Sequence, residues 1–496
     1  MPIQWSEQQE AIFEAVRAKK RHLLVVARAG SAKTTTIVRA ANNLDGDEKV
    51  YMGAFSGPVA LELDGRVLGF VTVRTLHSLG FRALRRAWGE GIELDRHRDR
   101  TLVRAVVPAS AGQEAREDVE KLVRLAKAYV FDSDEDLAWL MSEYDCAPLA
   151  DRFEMAKAYM DWTRDVLAMS RAPGPYVSYD DMVYVPAYHG LTAERYPRAM
   201  YDESQDLNRA QLIIAGNTLL TGGQSVYVGD DRQRVYSFRG ADRFAMDHVR
   251  RTLDPQVLYL TTTYRCARKI VELARRYVPD FEAAPGAPEG VVARVSRREM
   301  VARWRHGDFV VSRTNAPLAE LCVEALLTGK RAKILGRDLG EGLAALVRRS
   351  GAEDIPTLCG WVRAWGERER DRLVETGDAS HARSTVDKAN SLLRLAARQQ
   401  SVAQLLDVIQ SIFAPEDEAG AKAAKRITFL TAHAAKGLEA ERVWLLDGTF
   451  RPKKSEDEAN VYYVGISRAK RELYLVKLRP SAAELAAESD EWEETW

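Results

Sequence analysis

Residues 27–36 read ARAGSAKTTT, which sets Lys33 and Thr34 after a run of small residues. That combination suits the binding of a triphosphate. Backbone N–H groups of a small-residue loop and of a helix start face the anion, a lysine neutralises the outer phosphates, and a hydroxyl holds Mg2+. The common spacing is GxxxxGK followed by Ser or Thr. Here Ala27 and Ala32 stand at its two glycine positions, and Gly30 remains inside the loop. If position 32 requires a positive φ, alanine costs on the order of 1 kcal/mol there. A Gly/Ala-rich turn with a solvated lysine is the alternative.

A triphosphate site also needs a carboxylate for the metal and a base for water. The stretch MYDESQD, 200–206, supplies Asp202 and Glu203 side by side after a short apolar segment. Asp202 would hold Mg2+ through a water, with Thr34 as the hydroxyl ligand, and Glu203 would polarise the attacking water. Read alone, the same residues also suit an acidic capping turn.

These groups need strands that end beside them. HLLVVA (22–27) precedes the loop as a strand candidate, and KTTTIVRAANNL follows it as a helix candidate. Further apolar runs are SVYVGD (225–230), VLYLTTTYR (257–265), DFVVSR (308–313), ERVWLLDG (441–448) and ELYLVKL (472–478), with helical patterns between them. The alternation predicts α/β layers with largely parallel sheets. Residues near 89–175 and 336–424 break it with charged, helical patterns and read as two helical insertions.

Composition narrows the class. Lys plus Arg and Asp plus Glu number 72 each, so a nucleic-acid surface must be a local groove and not a global basic excess. Cys146, Cys266, Cys322 and Cys359 form no CxxC pair, which argues against a disulfide framework or a zinc site and for a reducing cytoplasm. No apolar run approaches a membrane span. The acidic ending AAESDEWEETW reads as a loose tail.

Taken in order, the motifs resemble those of the UvrD/Rep-like superfamily 1A DNA helicases, as a short member with small insertions. SEQQEAI (6–12) looks like the family's glutamine motif, with Gln8 on the adenine edge. ARAGSAKTT matches the first motif; the resemblance implies nucleotide contacts from Ala29, Gly30, Ser31, Ala32, Lys33, Thr34 and Thr35, while Arg28 and Ala32 depart from the usual glycines. Phe55 in GAFSGPVALEL and Thr75 and His77 in VRTLHSLGFRALRR fall at DNA-contacting places. SYDDMVYVP (178–186) looks like the short acidic motif that re-enters the first core, and no chemistry is assigned to it. DESQD carries Asp202 and Glu203 as metal ligand and base.

In VGDDRQRVYSFRGAD (228–242), the resemblance implies Gln233 as the γ-phosphate sensor, Tyr236 and Phe238 as base-stacking rings, and Arg239 as a bridge to the second motif's acids or to DNA. TTTYRCARKIVELA (261–274) offers Tyr264 to the adenine and Arg265 to the γ-phosphate. ITFLTAHAAKGLEAERVWLL (427–446) places Thr431, His433 and Lys436 along DNA and Glu439 at the ribose. NVYYVGISRAKRELYLV (460–476) offers Arg468 as a second arginine for the γ-phosphate.

The resemblance thus implies two RecA-like parallel-sheet cores facing one another across ATP, each with a mainly helical insertion. The expected division is 1–88 with 176–252 as the first core, 89–175 as its insertion, 253–335 with 425–480 as the second core, 336–424 as its insertion, and 481–496 as the tail. The expected activity is Mg2+- and ATP-dependent 3′→5′ movement of a monomer on single-stranded DNA, with unwinding at duplex junctions. RNA stays open, since phosphates and stacked bases are common to both. The alternatives are a translocase or remodeller that unwinds weakly, and a nucleic-acid-binding module with an impaired ATP site.

Overall fold

The computed structural model describes residues 4–144, 146, 152–234, 245–375, 379–414 and 426–478. The chain divides into two units, residues 1–261 with 375–378 and residues 262–374 with 379–496. Both are built on a parallel sheet, so the α/β class read from the sequence is the observed one.

In the first unit, LLVVA at Leu23–Ala27 (β1) is buried at every position. An apolar run without alternation suits a parallel strand covered on both faces. Val50–Ala54 (β2), Val71–Thr75 (β3), Tyr196–Tyr201 (β4), Leu219–Gly229 (β5) and Gln256–Leu260 (β6) complete an all-parallel sheet in the order β3-β2-β4-β5-β1-β6. The three central strands β4, β5 and β1 end at Tyr201, Gly229 and Ala27, directly before DESQD, DDRQ and the small-residue loop. Ligands of open α/β sheets bind beyond such carboxyl ends.

Helices fix these strand ends. Ser6 and Gln9 form a capping box that starts helix Glu7–Ala18, with the Ser6 N–H donating to Gln9 Oε1 at 3.0 Å. Helices Leu76–Trp88 and Asp181–His189 meet at Gly80, where a Cβ would lie 1.9 Å from the Met182 carbonyl oxygen. Residues between them add helices Arg98–Val106, Gly112–Tyr129, Asp134–Glu143 and Arg152–Arg171, packed around Val119, Leu122, Leu137, Leu140 and Leu167. A short parallel pair, Glu93–Leu94 with Tyr176–Val177, closes that helical segment. Lys127 is buried beneath it, 2.7 Å from Asp181 and 2.5 Å from Asp99.

The second sheet uses Val291–Ser296 (β7), Phe309–Ser312 (β8), Ala332–Leu335 (β9), Phe413–Ala414 (β10), Ile427–Thr431 (β11), Ala440–Leu445 (β12) and Ala469–Lys477 (β13), in the order β7-β13-β12-β8-β11-β9-β10, again all parallel. Trp444 is fully buried, and its indole N–H donates to Asp308 Oδ2 at 2.8 Å.

One difference from the expected division has a clear physical cause. Residues 253–261 were expected with the second core, yet Gln256–Leu260 pairs in parallel with β1 and forms the edge of the first sheet. The second insertion, expected as a helical segment at 336–424, packs on its core. Leu343, Leu358, Val362, Leu392, Leu405 and Ile409 share one apolar cluster with Val310, Phe429 and Trp444, and Phe413–Ala414 joins the sheet. Residues 481–496 lie outside the described residues. No described helix is long and apolar enough to cross a membrane, and all four cysteines are free.

Candidate functional site

Between β1 and helix Lys33–Asn42, the loop turns through two left-handed residues, Gly30 at φ 69° and Ala32 at φ 60°. Ala32 therefore holds the conformation that glycine adopts without strain, at a cost of about 1 kcal/mol. Behind the loop, the Thr36 hydroxyl donates to the Ala32 carbonyl and accepts from Gln9 Nε2, both at 2.9 Å. These bonds hold the strained residue in place.

Lys33, the first helical residue, reaches Glu203 Oε2 at 3.3 Å. Burial works against its charge, but Glu203, Asp230 and Asp202 outweigh burial and keep the ammonium protonated above its usual range. Thr34 donates its hydroxyl to Asp202 Oδ2. Burial, and then the charge of Glu203, push Asp202 up to about 6 against the pull of Lys33. Glu203 is itself left-handed, at φ 50°, and accepts from Gln205 Nε2 at 2.5 Å.

A divalent cation suits this donor set. Two adjacent carboxylates and a hydroxyl are hard oxygen donors, and burial and the neighbouring Glu203 charge hold the Asp202 pKa up despite Lys33. Thr34 and Asp202 would hold Mg2+ together with phosphate oxygens, and the ion would supply charge neutralisation there.

Asp230 connects the remaining groups. Its N–H donates to Gln205 Oε1 at 3.0 Å, and its Oδ2 accepts from Gln233 Nε2 at 2.7 Å. Gly229 makes that approach feasible, because a Cβ there would sit 2.4 Å from Gln205 Oε1. Sequence reading named Gln233 but gave Asp230 no part; the DxxQ spacing was the available signal.

The structure therefore gathers Lys33, Thr34, Asp202, Glu203 and Gln233 at one end of the first sheet. Gln8 lies on the adjoining helix, with both ends of its amide on Thr261: Nε2 donates to Oγ1 at 2.8 Å, and Oε1 accepts from the backbone N–H at 3.0 Å. One amide N–H and one lone pair remain in its inventory. Among the expected nucleic-acid contacts, Phe55 is half exposed, and Thr75 caps helix Leu76–Trp88 by accepting from Ser78 N–H at 3.1 Å. His77 stacks on Tyr179 at 4.1 Å between centroids, and burial lowers its pKa to about 4. Tyr179 was assigned no chemistry from sequence, although it is exposed. Tyr236, Phe238 and Arg239 lie outside the described residues.

In the second unit, Arg265 Nε donates to Glu439 Oε2 at 2.6 Å, and its Nη1 donates to the Ser467 carbonyl at 3.3 Å. Arg468 donates from Nη2 to Ser467 Oγ at 2.9 Å and from Nε to the Val464 carbonyl at 2.9 Å. The two arginines expected at a γ-phosphate thus meet at Ser467. Glu439, expected at a ribose, is engaged by Arg265 and by Lys470 at 2.7 Å; burial opposes its charge, but the two cations hold its carboxyl below the usual range. Tyr264 is half exposed, as a stacking ring must be. Thr431 ends β11 and accepts from Ala434 N–H at 3.3 Å, opening the turn that carries His433 and Lys436.

The chain matches the UvrD/REP helicase N-terminal domain over residues 178–254 and the UvrD-like helicase C-terminal domain over residues 375–479. Both matched segments are similar to UvrD-like helicases, the family that the ordered motifs resemble. The ATP-dependent DNA helicase UvrD2 of Mycobacterium tuberculosis (strain H37Rv) is 25% identical over 562 residues, covering 93% of this chain and 77% of that protein. UvrD1 of the same organism is 27% identical over 304 residues, covering 53% and 38%. The ATP-dependent DNA helicase PcrA of Bacillus subtilis is 40% identical over 85 residues, covering 15% and 11%. The small-residue loop lies outside both matched domain segments of this UvrD-like chain, so its assignment rests on the geometry around Ala32, Lys33 and Thr34.

Proposed function

We propose that this chain is an ATP-dependent DNA helicase that couples hydrolysis to 3′→5′ movement on single-stranded DNA and to unwinding at duplex junctions. The observation that carries the reading is the convergence of Lys33, Thr34, Asp202 and Glu203 beyond the central strands, with Ala32 kept in the left-handed conformation. Lys33 neutralises the outer phosphates, Glu203 takes the proton of the attacking water, and Gln233 orients that water. Arg265 and Arg468 are proposed as further partners of the γ-phosphate, Tyr264 and Gln8 as adenine contacts, and Glu439 as the ribose contact. Phe55, Thr75, His77, Tyr236, Phe238, Arg239, Thr431, His433 and Lys436 are proposed along the nucleic-acid strand.

The UvrD2, UvrD1 and PcrA relatives, each named an ATP-dependent DNA helicase, support the same reading. Forked duplexes bearing a single 3′ or a single 5′ tail test it. Strand separation from the 3′ tail alone, dependent on Mg-ATP, is the expected result; separation only from the 5′ tail refutes the polarity. A second reading, a translocase that strips or remodels a partner and unwinds poorly, is favoured by the helices of 337–412 sharing the second sheet's core. ATP turnover stimulated by single strands without strand separation would select it.

A further inference from the structure

We infer that Arg28 is a positioning residue of the phosphate loop, tying the loop to Asp230 and through it to Gln233. The inference rests on the ATPase reading above. Arg28 sits among small residues, where a long cation would ordinarily extend into water. Its side chain turns inward instead. Nη1 bonds Asp230 Oδ1 at 3.1 Å and also reaches Asp231, with only 7% of the Arg28 side chain and none of the Asp230 side chain exposed. The Arg28 backbone N–H donates to the Leu260 carbonyl at 2.8 Å, so the residue is held at both ends.

The partner makes this link more than structural filling. Asp230 Oδ2 accepts from Gln233 Nε2 at 2.7 Å, and the Asp230 N–H donates to Gln205 Oε1 at 3.0 Å. Gln205 in turn donates to Glu203 at 2.5 Å. One buried residue, Asp230, thereby joins the loop after β1 through its carboxylate and the acidic turn after β4 through its backbone N–H. Lys33 also feels the charge of Asp230. With Arg28 gone, Asp230 loses a buried ion pair while the charge of Lys33 still acts on it, and a carboxylate that shifts carries Gln233 along. Removing one partner of a buried ion pair leaves charge that the site must rearrange to meet. The consequence falls on the alignment of the hydrolytic groups more than on nucleotide binding. Lysine would keep the charge that Nη1 brings to both carboxylates but not the planar guanidinium that holds it there.

Phosphate release by the 496-residue chain, measured across ATP concentrations, tests this with Arg28→Gly, Arg28→Lys, Asp230→Asn and the double variant R28G/D230N. Arg28→Gly is expected to lower kcat about tenfold or more while KM moves less than about threefold. Arg28→Lys should restore part of kcat, a rescue that depends on the charge and not on loop packing. The double variant should lose no more than the worse single one, because both remove the same link. Wild-type kcat in Arg28→Gly, or losses that multiply in the double variant, would overturn the inference. A wild-type chain that hydrolyses no ATP would overturn the ATPase reading, and this inference with it. An active wild type beside an unaffected Arg28→Gly overturns this inference alone.

Discussion

Lys33 Nζ stands 3.3 Å from Glu203 Oε2, pairing the residue after the strained loop with the left-handed residue of the acidic turn. The pair spans 170 residues of sequence and depends on β1 and β4 ending at the same side of the sheet. Without a nucleotide, the two acids and Lys33 neutralise one another in part. Lys33→Ala should therefore do two things. Hydrolysis should fall by about 10²–10³-fold, the usual effect of removing one preorganised charge from a transition state. Asp202 and Glu203 should also repel one another more strongly. Steady-state phosphate release checks the first effect, and undiminished turnover would remove the loop from the site.

Ala32 offers a test in the opposite direction. At φ 60° it carries strain that glycine would not. Ala32→Gly should stabilise the first unit by roughly 0.5–1 kcal/mol, less whatever the added freedom of the unfolded chain takes back. It should leave ATP turnover intact or raise it. A chemical denaturation series resolves the difference, and a clear loss of stability would mean that the left-handed geometry is wrong.

Gly80 should tolerate no side chain. A Cβ would meet the Met182 carbonyl at 1.9 Å, and this obstacle is backbone and not the end of a flexible side chain. Gly80→Ala should cost about 2–4 kcal/mol and separate the two helices that carry His77 and the 181–189 segment. Thermal unfolding measures it. A shift of under a degree in the melting temperature would contradict the packing described.

His77 gives a pH signature. Burial holds its pKa near 4, against 6.5 for an unburied histidine. Below pH 6.5 the unfolded chain takes up a proton that the folded chain refuses, so the contribution of His77 to stability falls as pH drops from 6.5 toward 4. Between pH 7.5 and 5.5 the loss is about 1 kcal/mol. Asp202, raised to about 6, acts in the opposite sense, since its folded form gains protons first. The comparison of wild type with His77→Gln isolates the histidine term. Parallel stability-versus-pH curves for the two proteins would show that the His77 ring is not shielded.

The α/β class was legible because β1 and β8 carry continuous apolar runs and β12 ends in one. β4 was harder to see. Its sequence, YPRAMY, carries Pro197 and Arg198, and the arginine is tolerated inside only because Glu48 and Gln224 meet it at 2.9 and 2.8 Å. Those partners are remote in sequence, so no local pattern announces them. β3 is short and only half covered at the sheet edge, which blurs its signal. Strand pairing decided the place of Gln256–Leu260, and pairing is likewise invisible in composition.

The candidate site was more legible than the sheet that builds it. Lys33, Thr34, Asp202 and Glu203 are residue types bound to particular chemistry, and two short motifs name them. Arg28 reads from sequence as a damaged glycine position. Its meaning depends on Asp230, 202 residues away, and on the burial of both. Tyr179 was passed over for a similar reason, since its stack with His77 joins two segments separated by the whole helical insertion.

The most direct test of the account is phosphate release from Mg-ATP with and without single-stranded DNA, for the wild type and for Glu203→Gln. The account predicts turnover that rises at least about tenfold when DNA is added, and a Glu203→Gln protein that still binds nucleotide but turns over about 10²-fold or more slowly. Turnover indifferent to DNA, or a Glu203→Gln protein as fast as the wild type, would contradict it.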